Sequence, residues 1–191
     1  MWWHRPSTVT ARAMRAARFA LALGIAGLTA GCFQPLYGDR SLSGGPAVGQ
    51  ALRGVDVMPI AAPNGTPEAR IAVEIRNSIL FDLTGGAGST SPTHRLQIQM
   101  ASTRTQVIVD VTTARPDIEN YGINATFTLV ELATGKPVIT GQTFARVSFD
   151  IPGQEQRFAR ARGLRDAENR AAKVIAENIR SRLASFFIAG A

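Results

Sequence analysis

The sequence predicts an α+β fold, a two-layer sandwich in which an about four-stranded, mostly antiparallel sheet carries two helices on one face. Three observations predict it. Apolar and polar residues alternate through successive segments between Leu96 and Phe149, the period of half-buried strands. Two other segments repeat their apolar residues every three or four positions, the period of surface helices. The order strand, helix, three strands, helix leaves both helices free to cover one side of a single sheet.

The first strand is read at Val55 to Ile60, where Val55 and Val57 alternate with Asp56 and Met58. Pro59 confines it to an edge or to its own last residues. Thr66 then caps a helix whose first residue is Pro67, with Glu68 near its positive end. Ile71, Ile75, Ile79 and Leu83 make its apolar stripe, with Val73, Leu80 and Phe81 beside them. Gly85 and Gly86 end it.

Leu96, Ile98 and Met100 open the next strand and Val107, Val109 and Val111 continue it, with a kink or bulge expected near Thr103 to Thr105. Thr112 to Asn120, containing Arg115, Pro116 and Asp117, reads as a polar turn. Tyr121 to Leu132 is a strand with Ile123, Ala125, Phe127 and Leu129 on one face. Ala133 to Lys136 turns the chain back into a strand over Val138 to Phe149. From about Glu155 to Phe187 the spacing of Leu164, Ala167, Ala171, Ile175, Ile179, Leu183 and Phe186 predicts one long helix.

The chain of 191 residues carries 21 Lys and Arg against 14 Asp and Glu, a formal charge of +7. Four of the Arg (Arg5, Arg12, Arg15, Arg18) precede an apolar run from Phe19 to Ala30, the pattern of an export signal and too short to span a bilayer. Met14 also fits as a start for this signal. Leu28-Thr29-Ala30-Gly31-Cys32 resembles a bacterial lipobox, in which Cys32 becomes the acylated (palmitate-bearing) first residue after cleavage. The alternative is an ordinary secretory signal with an incidental Cys. Buried acyl chains contribute about 0.8 kcal/mol per CH₂ and would hold the protein on a membrane. No Asp follows Cys32, which favours the outer membrane. The expected organisation is therefore a signal over 1–31, lipidated Cys32 with a Gly, Pro and Ser-rich tether over 32–53, and a single domain over 54–191.

Without residues 1–31 the charge falls to +3, with 17 basic residues against 14 acids. That near-balance in an exported chain argues against nucleic acid as a partner. His94 is the one His left, beside Thr93 and Arg95, with no nucleophile turn around it. A metal site wants several His, Cys or clustered carboxylates, and none is read here. Asp110, Asp117, Glu119 and Asp150 could converge as catalytic carboxylates, but their spacing singles out none of them. No catalytic residue and no cofactor is assigned. Arg157, Arg160, Arg162 and Arg165 are the remaining feature. In a helix they form two neighbour pairs pointing in different directions; they are either a solvated face or forks for phosphate.

Gly31-Cys32-Phe33-Gln34-Pro35-Leu36-Tyr37-Gly38, Arg76-Asn77, Thr134-Gly135-Lys136, Ser148-Phe149-Asp150 and Arg165-Asp166-Ala167-Glu168, in that order, resemble the LPS-assembly lipoprotein LptE of alphaproteobacterial type. The resemblance spans nearly all of the chain after the signal. It implies a non-enzymatic outer-membrane lipoprotein that sits in the lumen of the β-barrel LptD and helps pass lipopolysaccharide (LPS) to the outer leaflet. It also implies LPS binding through basic residues at Arg115, Arg160 and Arg162. The competing expectation is a lipid- or peptidoglycan-binding outer-membrane lipoprotein of another envelope transport system.

Overall fold

The structure, a computed structural model, describes residues 47–108, 116–151 and 157–189. The segment read as an export signal, Cys32, residues 33–46 of the stretch read as a tether, and Arg115 lie outside the described residues. The chain forms α1 (Val48–Arg53), β1 (Val55–Val57), α2 (Pro67–Thr84), β2 (His94–Ile108), β3 (Pro116–Glu131), β4 (Pro137–Asp150) and α3 (Arg157–Ala189). The sheet order is β1-β2-β3-β4. β1 runs parallel to β2, as a crossover through α2 requires, and the other two pairings are antiparallel. This is the expected α+β sandwich with one more helix.

The helices cover one face because one face alone is apolar. Leu96 and Ile98 of β2 and Ile123, Ala125, Phe127 and Leu129 of β3 point to the same side and are buried. Ile71, Ile75, Ile79 and Leu83 of α2 meet them, as do Ala167, Ala171, Ile175, Ile179 and Leu183 of α3. The alanines let α3 lie close to the sheet. Val73 and Phe81, by contrast, are 58% and 68% exposed. The buried stripe of α2 (Ile71, Ala72, Ile75, Ile79 and Leu83) is narrow, and these two fall outside it.

Local chemistry fixes the ends of α2. The Thr66 hydroxyl accepts from the Ala69 N–H at 3.2 Å, and Pro67 occupies the first turn where no donor is needed. Gly85 closes the helix in the left-handed region (φ 69°), its N–H donating to Phe81 O. Arg76 Nε donates to Val57 O at 3.0 Å and so ties α2 to the end of β1.

Three features differ from the sequence expectation. Residues 48–53, expected in the tether, instead form α1, with Val48 and Leu52 buried in the domain core. β2 runs without a kink at Thr103 to Thr105; its register with β3 is continuous until an irregularity at Val107 and Ile108. β3 starts at Pro116, inside the stretch read as a turn. The apolar signal fades there because the inner face itself turns polar, with Ser102 and Arg104 on β2 and Glu119 on β3. Among the described residues no helix is long and apolar enough to cross a membrane.

Candidate functional site

Two surfaces stand out, one at the end of the sheet where α3 begins and one across its helix-free face. At the first, Glu119 is the deepest charge, 4% exposed although it carries a carboxylate. Arg160 of α3 donates to it (Nη2 to Oε2, 3.3 Å) and Arg104 of β2 approaches the other oxygen (Nε to Oε1, 3.9 Å). Both guanidinium groups remain about half exposed. A buried carboxylate needs such partners, since an isolated one would cost several kcal/mol. Arg160 is thus committed to the fold on one side while keeping donors free on the other.

Residues 157–165 are helical, so the four Arg do not gather into one site. Arg160 and Arg162, two positions apart, project to different sides of α3. Arg162 and Arg165 are exposed and in no ion pair among the described residues. Arg115 immediately precedes Pro116 in sequence and lies outside the described residues. Arg104 is the member that sequence reading missed; its signal would have been a cation on the inward side of an alternating strand, which demands a buried acid opposite.

A second polar group lies further along the same end. Arg70 of α2 pairs with the buried Glu168 of α3 and donates to Asn169 Oδ1 at 2.9 Å. Ser102 donates to Glu68 at 3.0 Å, and a backbone N–H together with that hydroxyl holds the Glu68 carboxyl below its ordinary value of 4.5. Burial pushes the neighbouring Tyr121 phenol up. At the opposite end His94 stacks edge-on against Phe187 at 5.2 Å and shares a 2.9 Å hydrogen bond with Thr93. Burial pushes its imidazole pKa down, and Glu131 offsets part of this. Among the described residues no three His, Cys, Asp or Glu gather to hold a metal.

The helix-free face of the sheet is built from rows of uncharged polar side chains. Gln97, Thr128 and Thr140 form one row, and Gln99, Thr126 and Gln142 the next. Ala101, Asn124 and Phe144 follow, then Thr103, Gly122 and Arg146, then Thr105, Asn120 and Ser148. Asp56, Arg95, Arg146 and Asp150 are the charges among the described strand residues of this face, and they lie toward its ends rather than in the first three rows. A solvated sheet face ordinarily carries Lys and Glu, and their depletion is the mark of a contact surface. Phe144, midway along the edge strand β4, is 72% exposed.

No protein-family model and no curated protein matches this chain. Solved structures do resemble it. A lipoprotein from Caulobacter crescentus CB15 superposes with a TM-score of 0.59 at 17% identity, covering 75% of this chain and 97% of that one. Lipoprotein B from Nitrosomonas europaea gives 0.52 at 14% identity, with 72% and 89% covered. Rare lipoprotein B from Shewanella oneidensis gives 0.51 at 10% identity, with 70% and 96% covered. The chain therefore shares the fold of these bacterial lipoproteins.

Proposed function

We propose that this chain is an outer-membrane lipoprotein of LptE type, anchored through acylated Cys32, which plugs an LptD barrel and assists LPS assembly without itself making or breaking a bond. The observation that carries this reading is the charge-depleted, amide- and hydroxyl-rich face of the sheet. The interior of an outer-membrane barrel is polar, and a plug must satisfy that wall with hydrogen bonds rather than bury charges against it. The lipobox and the fold shared with bacterial lipoproteins support the same placement. LPS phosphates would be met by Arg115 and Arg162, with Arg160 contributing the donors that Glu119 leaves free.

Affinity purification of the lipidated protein from outer membranes tests the partner. A barrel in about equal amount is expected, and a charge on the flat face, such as Thr126→Glu, should abolish its recovery without unfolding the domain. Recovery of the intact lipoprotein with no barrel would sink the plug reading. For LPS, Arg115→Glu with Arg162→Glu should weaken binding. Arg160→Glu is the wrong probe, because it sets a second carboxylate against Glu119 and loosens the fold. Depletion that leaves surface LPS intact but disturbs phospholipid or cell wall would favour a different envelope transporter.

A further inference from the structure

We propose that the β3–β4 side of the helix-free face, midway along these strands, is a binding site for a neutral sugar ring. The third and second rows of that face meet in a cleft of about 270 Å³ lined by Asn124, Ala125, Thr126, Gln142, Thr143 and Phe144. Asn124 lies opposite Phe144 and Thr126 opposite Gln142, so four side chains form a square on two adjacent strands. Directly opposed residues sit about 5 Å apart and successive same-face residues about 7 Å apart, which sets the polar groups beside the ring of Phe144, toward the sheet interior.

The chemistry of the square selects the ligand. Two amides and one hydroxyl supply both donors and acceptors beside the ring of Phe144, and none carries a charge; the Thr143 hydroxyl points to the helix-covered face. Among the described residues the side chains of Asn124, Thr126 and Gln142 have no hydrogen-bond partner, while Thr143 accepts from Asn178 at 2.9 Å. Phosphate or carboxylate would find no cation within the cleft; Arg146 stands one row further on. A purely apolar ligand would strip water from the amides and return no hydrogen bond. A pyranose ring presents C–H groups on its face and hydroxyls around its edge. The C–H face fits the electron-rich face of an exposed aromatic ring, and the edge fits the amides beside it. Small side chains at Ala101 and Gly122 leave the approach across the sheet open.

Two sources offer such a ring, the glycan strand of peptidoglycan and the core oligosaccharide of LPS. A barrel wall seated on this face would cover the square, so the sugar is bound by the protein free of the barrel, and the failure of this proposal and the failure of the plug reading are separable. The test is saturation-transfer NMR and calorimetry on the full-length protein in a sugar-free detergent. The probes are N-acetylglucosamine tetramer and lipid-A-free core oligosaccharide. Transfer to ring C–H protons of either probe supports the site, and the preferred probe names the source. Phe144→Ala should weaken binding about tenfold or more, a loss of about 1.4 kcal/mol. Gln142→Ala should weaken it several-fold. Phe81→Ala, which removes an equally exposed ring elsewhere, should leave it unchanged. No transfer from either probe at millimolar concentration overturns the proposal. So does a Phe144→Ala variant that binds sugar normally but no longer recovers a barrel, which would make Phe144 a protein contact.

Discussion

Replacing Gly141 with Ala should destabilise the domain, although a Gly-to-Ala change in a strand of ordinary φ usually stabilises. Gly141 lies directly opposite Phe127, whose ring is fully buried under the helices. A Cβ at 141 would stand 2.6 Å from Phe127 Cζ and 2.9 Å from Cε1. Those are ring atoms held on every side by α2, α3 and the sheet, so they cannot swing away as the tip of a long side chain could. Overpacking of this kind costs about 1–3 kcal/mol. The reduced freedom of the unfolded chain returns about 0.4–1 kcal/mol. A net loss of about 0.5–2 kcal/mol remains, or roughly 2–8 °C in Tm.

The assay is urea unfolding followed by circular dichroism, with three companions. Gly49→Ala, in α1 with nothing within 4 Å of its added Cβ, should gain stability by up to about 1 kcal/mol. Phe127→Leu should cost stability alone yet recover part of the loss when combined with Gly141→Ala, since the smaller side chain makes room. A Gly141→Ala protein as stable as the parent, or additive with Phe127→Leu, would refute the claim that the ring rests on the glycine.

Three further outcomes follow from the geometry. Thr66→Ala should cost about 1 kcal/mol, read by thermal melting, because the Ala69 N–H loses its cap. Arg160→Gln should cost about 1–2 kcal/mol in urea unfolding by leaving buried Glu119 to the more distant Arg104, and Glu119→Gln should recover part of it. Stability should decline as pH falls below 6.5: the unfolded His94 takes up a proton there while the folded one, its pKa lowered by burial, resists until lower pH. His94→Gln should flatten that limb. Glu68, whose folded carboxyl stays ionised after the unfolded one has protonated, contributes a further decline below 4.5, and Glu68→Gln should lessen it.

Where a residue's neighbours in space are also its neighbours in sequence, the structure was legible beforehand. Ile71, Ile75, Ile79 and Leu83 announce a helix with one wet side, and Thr66-Pro67 and Gly85 mark its ends by chemistry confined to one turn. Leu96 and Ile98, then Ile123 to Leu129, announce strands with one dry face. By the same token the polar face was legible at Gln97, Gln99, Thr126, Thr128, Thr140 and Gln142. α1 was not legible, because six residues with two apolar side chains carry too little periodicity to distinguish from a tether. Nor was the straight run of β2 through Thr103 to Thr105, which its pairing with Gly122 to Asn120 enforces against a local pattern of polar residues.

The sequence by itself determined the class of fold and the face of each element that turns inward, since these depend on spacing along the chain. Tertiary structure decided the fate of individual charges and rings. Arg160 and Glu119 stand 41 positions apart, Arg70 and Glu168 stand 98, and no local pattern predicts that either pair will meet. The flat face is the same case: its polar residues were countable from sequence, but only strand register sets Asn124 beside Phe144 and Thr126 beside Gln142. A cleft is made by residues distant in the chain, so it exists only once the sheet is assembled.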